Sequence, residues 1–205
     1  MLTRRSVTAL IKATMALVAA PPLVRRAWAQ PSQRAVTFVG STAGQLAAIA
    51  NNSDTPQEKR RGLQRVINAN VDVDAIARFC LGRFWRIATP QQQQQYMALF
   101  DQLLVTKIAD HLGEYRGVQI TMGLARAAED TEIVRTTVER PNGGTSQVDW
   151  VVSIATGAPK IVDLLAEGTS LRLTQSSDFV AYLARHQYDV SEFIKALRQI
   201  VDRNG

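Results

Sequence analysis

The sequence has one cysteine, Cys80, and only two histidines, His111 and His186, among its 205 residues. A lone cysteine excludes an intramolecular disulfide. Cys80 sits among Ala77, Phe79 and Leu81, which is the setting of a small buried apolar residue and not of a reactive thiol. Both histidines fall inside helical patterns without a matching ligand nearby, and the chain has no CxxC, HExxH or GxxxxGK. Those absences remove the usual zinc, dithiol and phosphate-loop chemistries. Gly40-Ser41-Thr42-Ala43-Gly44 has the outline of a nucleophile elbow, but its centre is Thr42 and its context is helical. Asp163 and Glu167 lie four apart at a strand end, too far along an extended chain to share one proton easily. Glu167 is expected to bond turn amides. A pocket base would have to be Asp149 or Asp163.

A long apolar run is also missing. Ala9 to Val24 is weakly apolar and broken by Lys12, Pro21 and Pro22, too little to cross ~30 Å of hydrocarbon. With Thr3-Arg4-Arg5 before it and Ala27-Trp28-Ala29 after it, this stretch reads as a signal peptide over residues 1–29, cleaved before Gln30. The paired arginines, Lys12 and Arg25-Arg26 resemble a twin-arginine signal, although Ser6-Val7-Thr8 departs from that pattern, so the export route stays open.

Removing this leader changes the charge. It carries five of the 24 basic residues and no acid, leaving 19 basic against 18 acidic side chains, about +1 in place of +6. A nucleic-acid partner loses its electrostatic support. The remaining 176 residues suffice for one domain with a sizeable core.

What is present is a change of period along the chain. Residues 34–51 repeat apolar positions (Val36, Val39, Ala43, Leu46, Ala47, Ala50) at helical spacing, and a short helix follows with Leu63, Val66 and Ile67. Asp72 or Asp74 can cap a helix from Ala75 to Phe84. Thr89-Pro90, with Gln92 completing a capping box, starts a long helix to about Tyr115, with a stripe of Met97, Phe100, Leu103, Leu104, Ile108 and Leu112. After Gly117 the pattern alternates: Val118, Ile120, Met122 and Leu124 form one strand face. Strands are then expected at 133–138, 147–155 and 160–166, with a turn at Pro141-Asn142-Gly143-Gly144. The inner strands are apolar on both sides, so both faces should be covered. Helices return after this, one capped by Ser176 or Ser177 and carrying Phe179, Tyr182 and Leu183, the other starting at Val190-Ser191. The expected class is α+β: a curved antiparallel sheet of about four strands (117–167) packed with helices before it (34–116) and after it (170–203). A cavity between them would be lined by Leu104, Ile108, Leu112, Ile120, Met122, Val134, Trp150, Val152 and Leu164, with Phe84, Trp85, Tyr115, Phe179 and Leu183 around them. No catalytic residue and no metal ligand stands out.

Three segments carry a family resemblance. Leu81-Gly82-Arg83-Phe84-Trp85-Arg86-Ile87-Ala88-Thr89-Pro90-Gln91-Gln92 is similar to a segment in which a leucine-glycine pair precedes an aromatic pair and a proline helix start. Tyr115-Arg116-Gly117 resembles the tyrosine-x-glycine helix exit of the same family. Lys160 to Leu171 (KIVDLLAEGTSL) resembles its aspartate–glutamate-glycine-x-serine segment. The family is MlaC, also called the toluene-tolerance family, and the likeness runs from about Leu63 to Arg198. It implies an NTF2-like curved sheet enclosing a deep pocket for phospholipid acyl chains, and a periplasmic carrier of outer-membrane lipid asymmetry. It further implies exchange with an inner-membrane MCE-domain ABC transporter complex and an outer-membrane lipoprotein–porin complex, with no cofactor beyond the cargo. A monomer is expected. One departure concerns Gln175-Ser176-Ser177-Asp178, where many relatives carry an arginine or lysine before the last aromatic-bearing helix.

Physical chemistry sets the demand on such a pocket. Each CH₂ removed from hydrocarbon costs ~0.8 kcal/mol, so two tails of roughly 30 carbons need on the order of 20 kcal/mol of replacement burial. A carrier must therefore enclose most of both tails. Two other readings remain from the residues: the same fold carrying a hopanoid or another apolar lipid, or an NTF2-like enzyme acting on an apolar substrate. A purely structural adaptor would have no closed cavity.

Overall fold

The computed structural model describes residues 33–52, 55–112, 115–155 and 157–204; the leader read from the sequence lies outside them. Five helices precede the sheet: α1 (Gln33–Asn51), α2 (Pro56–Asn70), α3 (Val73–Leu81), α4 (Phe84–Ile87) and α5 (Pro90–Leu112). The strands are β1 (Gln119–Ala128), β2 (Thr131–Glu139), β3 (Thr145–Ser153), β4 (Lys160–Ala166) and the two-residue β5 (Thr169–Ser170). Two helices close the chain, α6 (Leu171–Arg185) and α7 (Val190–Asn204). The class is α+β, and the sheet is an antiparallel meander in the order β1-β2-β3-β4-β5.

Local chemistry places most boundaries. Thr89 Oγ1 accepts from the Gln92 amide at 3.2 Å while Gln92 Oε1 accepts from the Thr89 amide at 2.8 Å, the reciprocal box that starts α5. Thr55 and Glu58 do the same for α2, which also begins with a proline. Asp72, not Asp74, caps α3, which stops at Gly82; Phe84 belongs to a separate single turn. The β2–β3 hairpin turns at Gly143, whose φ of +85° would strain any residue with a Cβ.

Three features differ from the sequence reading. α6 begins at Leu171 and is capped by Ser170, whose Oγ accepts from the Leu173 amide at 3.0 Å. Ser176 and Ser177 are therefore inside the helix, and so is the whole segment 175–178. The first-turn cation of α6 is Arg172. Second, the β1 alternation breaks between Met122 and Ala125. Gly123 runs so close to β2 that a Cβ there would lie 3.2 Å from the Arg135 carbonyl oxygen. The bulge turns Leu124 out to 83% exposure and puts Ala125 opposite Val134. Third, Glu167 does not bond the amides of its own turn. Its Oε1 accepts from the Gln147 amide at 2.7 Å, fastening the β4 exit to β3.

The core divides into three clusters. One lies among α3–α7 and is built on Tyr96, Phe100, Phe179 and Phe193. A second lies between α1 and the sheet, and a third joins Ala50, Leu63, Ile67 and Val105 of α1, α2 and α5. Val71 packs against all three. Its backbone forms a bridge with Ile161 of β4, and the next amide, Asp72, donates to the Ile161 carbonyl at 2.9 Å.

Candidate functional site: the interface of helix α1 and the sheet

Strand register sorts the sheet residues into faces. Ala125 opposes Val134, Val134 opposes Trp150, and Trp150 opposes Leu164, one row running across four strands. The neighbouring row joins Val152 to Ile161, a pairing shifted by a bulge that keeps Ile161 and Leu164 on the same side. With Ile120 and Val148 these residues make an apolar face, and Val134, Trp150, Val152 and Ile161 are buried. Two polar groups on this face bond each other and the backbone: Trp150 Nε1 donates to Thr136 Oγ1 at 2.9 Å, and Thr136 Oγ1 donates to the Val148 carbonyl at 3.3 Å. Glu132, opposite Val152, is buried on the same face.

Helix α1 covers this face with small side chains. Ala35, Val39 and Ala43 recur every fourth residue, all are buried, and Val36, Phe38 and Leu46 pack beside them. At Gly40 the helix runs close to Met122: a Cβ there would lie 3.7 Å from its Sδ. Thr42, also buried, returns its hydroxyl to the Phe38 carbonyl at 2.9 Å and presents no free polar group to the interface. Leu46 continues into the third cluster, so apolar surface extends from the sheet towards Leu104, Ile108 and Tyr115.

The residues picked from the sequence fall into three groups. Ile120, Val134, Trp150, Val152 and Leu164 meet at the α1–sheet interface. Leu104, Ile108 and Tyr115 border it in the third cluster. Phe84, Trp85, Phe179 and Leu183 belong to the helical cluster, where Phe179 packs against Phe193 with ring centroids 4.8 Å apart. Met122 is on the edge strand and 36% exposed; the Leu112 side chain lies outside the described set. The sequence reading placed none of the α1 residues on the site. The four-residue repeat of small apolar residues in α1 was the available signal.

The two carboxylates considered as bases are on the other face of the sheet. Asp149 is held by the Arg135 fork, with Nε at 2.6 Å and Nη2 at 2.8 Å, and that hydrogen-bonded cation lowers its pKa below the ordinary carboxylate value. Asp163 accepts from Ser170 Oγ at 2.6 Å and from the amides of Leu164 and Arg172 at 2.8 and 3.1 Å. It anchors the start of α6. Elsewhere, burial pushes the Cys80 thiol up to about 12, which keeps it protonated. Among the described residues there is no group of three or more metal-ligating side chains. The interface is apolar apart from Thr136 and Glu132, the latter buried opposite Val152 near the β1–β2 turn.

In this structure α1 and the sheet are in contact, and two hollows are open surface grooves elsewhere. One, of about 360 Å³, runs along α6 past Leu173, Val180 and Ala184. The other, of about 290 Å³, lies beside Gln64, Gln102 and Val201. An apolar seam closes when nothing separates its walls, because an empty space of that kind forfeits dispersion contacts.

Comparison with known proteins fits this geometry. A phospholipid-binding protein of Ralstonia solanacearum, solved in complex with a phospholipid, shares the fold at a TM-score of 0.71 and 24% sequence identity. The match covers 82% of this chain and 97% of that one. Residues 41–199 match the family profile described as MlaC protein. That span takes in α2–α6, the whole sheet and most of α1 and α7, and the chain belongs to the MlaC family.

Proposed function

We propose that this protein is a phospholipid carrier that holds acyl chains between α1 and the inner face of the sheet. The observation that carries the reading is the Ala125–Val134–Trp150–Leu164 row, extended by Val152 and Ile161, beneath a helix whose buried contacts are Ala35, Val39 and Ala43, with Val36, Phe38 and Leu46 beside them. Support also comes from the family and from the likeness to a protein solved with a phospholipid. Separation of α1 from the sheet opens the seam, and the lipid tails replace the lost contacts. Tails laid on Val134, Val152 and Ile161 recover burial at ~25 cal/mol per Å² without any charged partner.

The same reading takes the protein to the periplasm, as one lipid-binding domain (30–205) released from its leader between Ala29 and Gln30. There it would act as a monomer, exchanging lipid with an inner-membrane MCE-domain ABC transporter complex and an outer-membrane lipoprotein–porin complex.

The test is native mass spectrometry with lipid extraction on the purified protein. Diacyl phospholipid is expected to co-purify. Trp150→Asp and Ile108→Asp should abolish retention with a smaller loss of folding. Repeatedly empty protein from lipid-rich cells, with no uptake from vesicles, would sink the proposal. A hopanoid in the extract would keep the carrier and change its cargo.

A further inference from the structure

One end of the helical lobe combines arginines with exposed apolar side chains, and none of its residues belongs to the α1–sheet interface. Arg83 precedes α4 with helical backbone angles, so Arg83 and Ile87, four residues apart, share a face with Arg86 beside them. Ile87 is 67% exposed. The Arg83 guanidinium lies 4.9 Å from the Phe84 ring and 5.4 Å from that of Tyr188, and those two rings stack at 5.8 Å. Arg78 lies 5.0 Å over Trp85. Tyr188, 49% exposed, is held there by a turn in which Gln187 and Tyr188 both have positive φ, +53° and +62°. Non-glycine residues occupy that region at a cost, so the α6–α7 turn sustains strain to keep the ring in place.

The cations are uncompensated. Arg78, Arg83 and Arg86 take no part in the ion pairs Arg135–Asp149, Arg172–Asp163 and Lys195–Glu192. The acid next to Tyr188, Asp189, turns its carboxylate onto the amides of Ser191 and Glu192 at 2.7 and 3.2 Å. Arginines fixed over rings keep their outward N–H groups ready for phosphate oxygens. An exposed aliphatic side chain between cations, beside a tryptophan and a tyrosine, is the arrangement that suits the headgroup boundary of a bilayer.

We propose that this end of the helical lobe docks on an anionic phospholipid bilayer, with Ile87 entering the headgroup boundary and Arg78, Arg83 and Arg86 meeting phosphates. Positive charge complements an anionic leaflet, and the attraction falls with salt. The docking is separate from the cargo seam and goes beyond the carrier reading.

Cosedimentation of the purified protein with phosphatidylglycerol-containing vesicles, against pure phosphatidylcholine vesicles, tests it. Binding is expected to the anionic vesicles only and to fall as salt rises. Arg86→Ala should weaken it roughly fivefold, the effect of one interfacial cation. Ile87→Asp should abolish it. Arg65→Ala, an exposed arginine on α2, should leave it unchanged. Circular dichroism and lipid extraction on the same samples establish that fold and cargo are intact, so the two proposals fail independently. Absence of vesicle binding would leave this face to an acidic protein partner and overturn the proposal. Equal binding to both vesicle types, or equal loss in Arg65→Ala and Arg86→Ala, would overturn it as well.

Discussion

The helical cluster and the α1–sheet interface are both apolar, yet they are built differently. The helical cluster is a knot of rings: Tyr96 lies 5.7 to 6.3 Å from Phe100, Phe193 and Phe179, and its hydroxyl donates to the Ala77 carbonyl at 2.7 Å. Edge-to-face and tilted packing of this kind adds about 0.5–1.5 kcal/mol per pair beyond area burial, and fixes each ring against its neighbours. The interface under α1 uses Ala35, Val39 and Ala43 against Val134, Val152 and Ile161, with Trp150 the only buried aromatic residue in it. Such a contact buries less per residue and is less directional. The difference assigns rigidity to one region and separability to the other. A carrier needs both, because its walls must part for the tails without the domain unfolding.

Substitutions in the two regions should therefore fail in different ways. The largest effect is expected for Phe179→Ala, which deletes the ring shared by Tyr96, Phe100 and Phe193. A loss of about 3–5 kcal/mol in denaturant unfolding is typical of such a cavity, with lipid retained by the molecules that remain folded. A loss of lipid without a loss of stability would contradict the division.

Ala43→Leu should be intermediate. Overpacking a tight contact costs about 1–3 kcal/mol. A separable α1 relaxes away from the sheet, so the cost should lie at the low end, accompanied by altered lipid retention. A cost matching Phe179→Ala would make the interface as rigid as the ring cluster.

The smallest effect concerns the solvent-facing side of the sheet. Arg135 holds Asp149 below the ordinary carboxylate pKa. A group with a depressed folded pKa contributes stability that is present above its unfolded pKa and is lost as pH falls through the folded value. The stability difference between the protein and Asp149→Asn should thus be greatest near neutrality and shrink below the usual carboxylate range. Lipid retention should be unchanged, since the pair lies on the face opposite Trp150.

Much of the fold was legible in the chain because it rests on neighbours in sequence. Thr89, Pro90 and Gln92 bond within one turn, and Gly143 satisfies a local φ. The start of α6 was not legible. Ser170 caps it while also donating to Asp163, and Asp163 further accepts from the Arg172 amide, so a contact from β4 fixes the start ahead of Ser176 and Ser177, the two serines offered by the sequence. Leu124 was misplaced because alternation assumes an unbroken pleat, whereas Gly123 allows a bulge against Arg135. For the candidate site, apolar character was readable at Val134, Trp150 and Leu164. Their covering by Ala35, Val39 and Ala43, between 91 and 129 residues earlier, was not.

The sequence by itself determined the order of elements, the α+β class, the turn and cap positions set by local bonds, and the scarcity of reactive groups. Only the tertiary structure decided how one pool of apolar residues divides into a ring cluster and a seam beneath a helix. Periodicity states which face of an element avoids water, and it is silent on which other face will meet it. That choice depends on size: rings interlock with rings in the helical lobe, whereas the fully buried α1 side chains that meet the sheet, Ala35, Val39 and Ala43, are small.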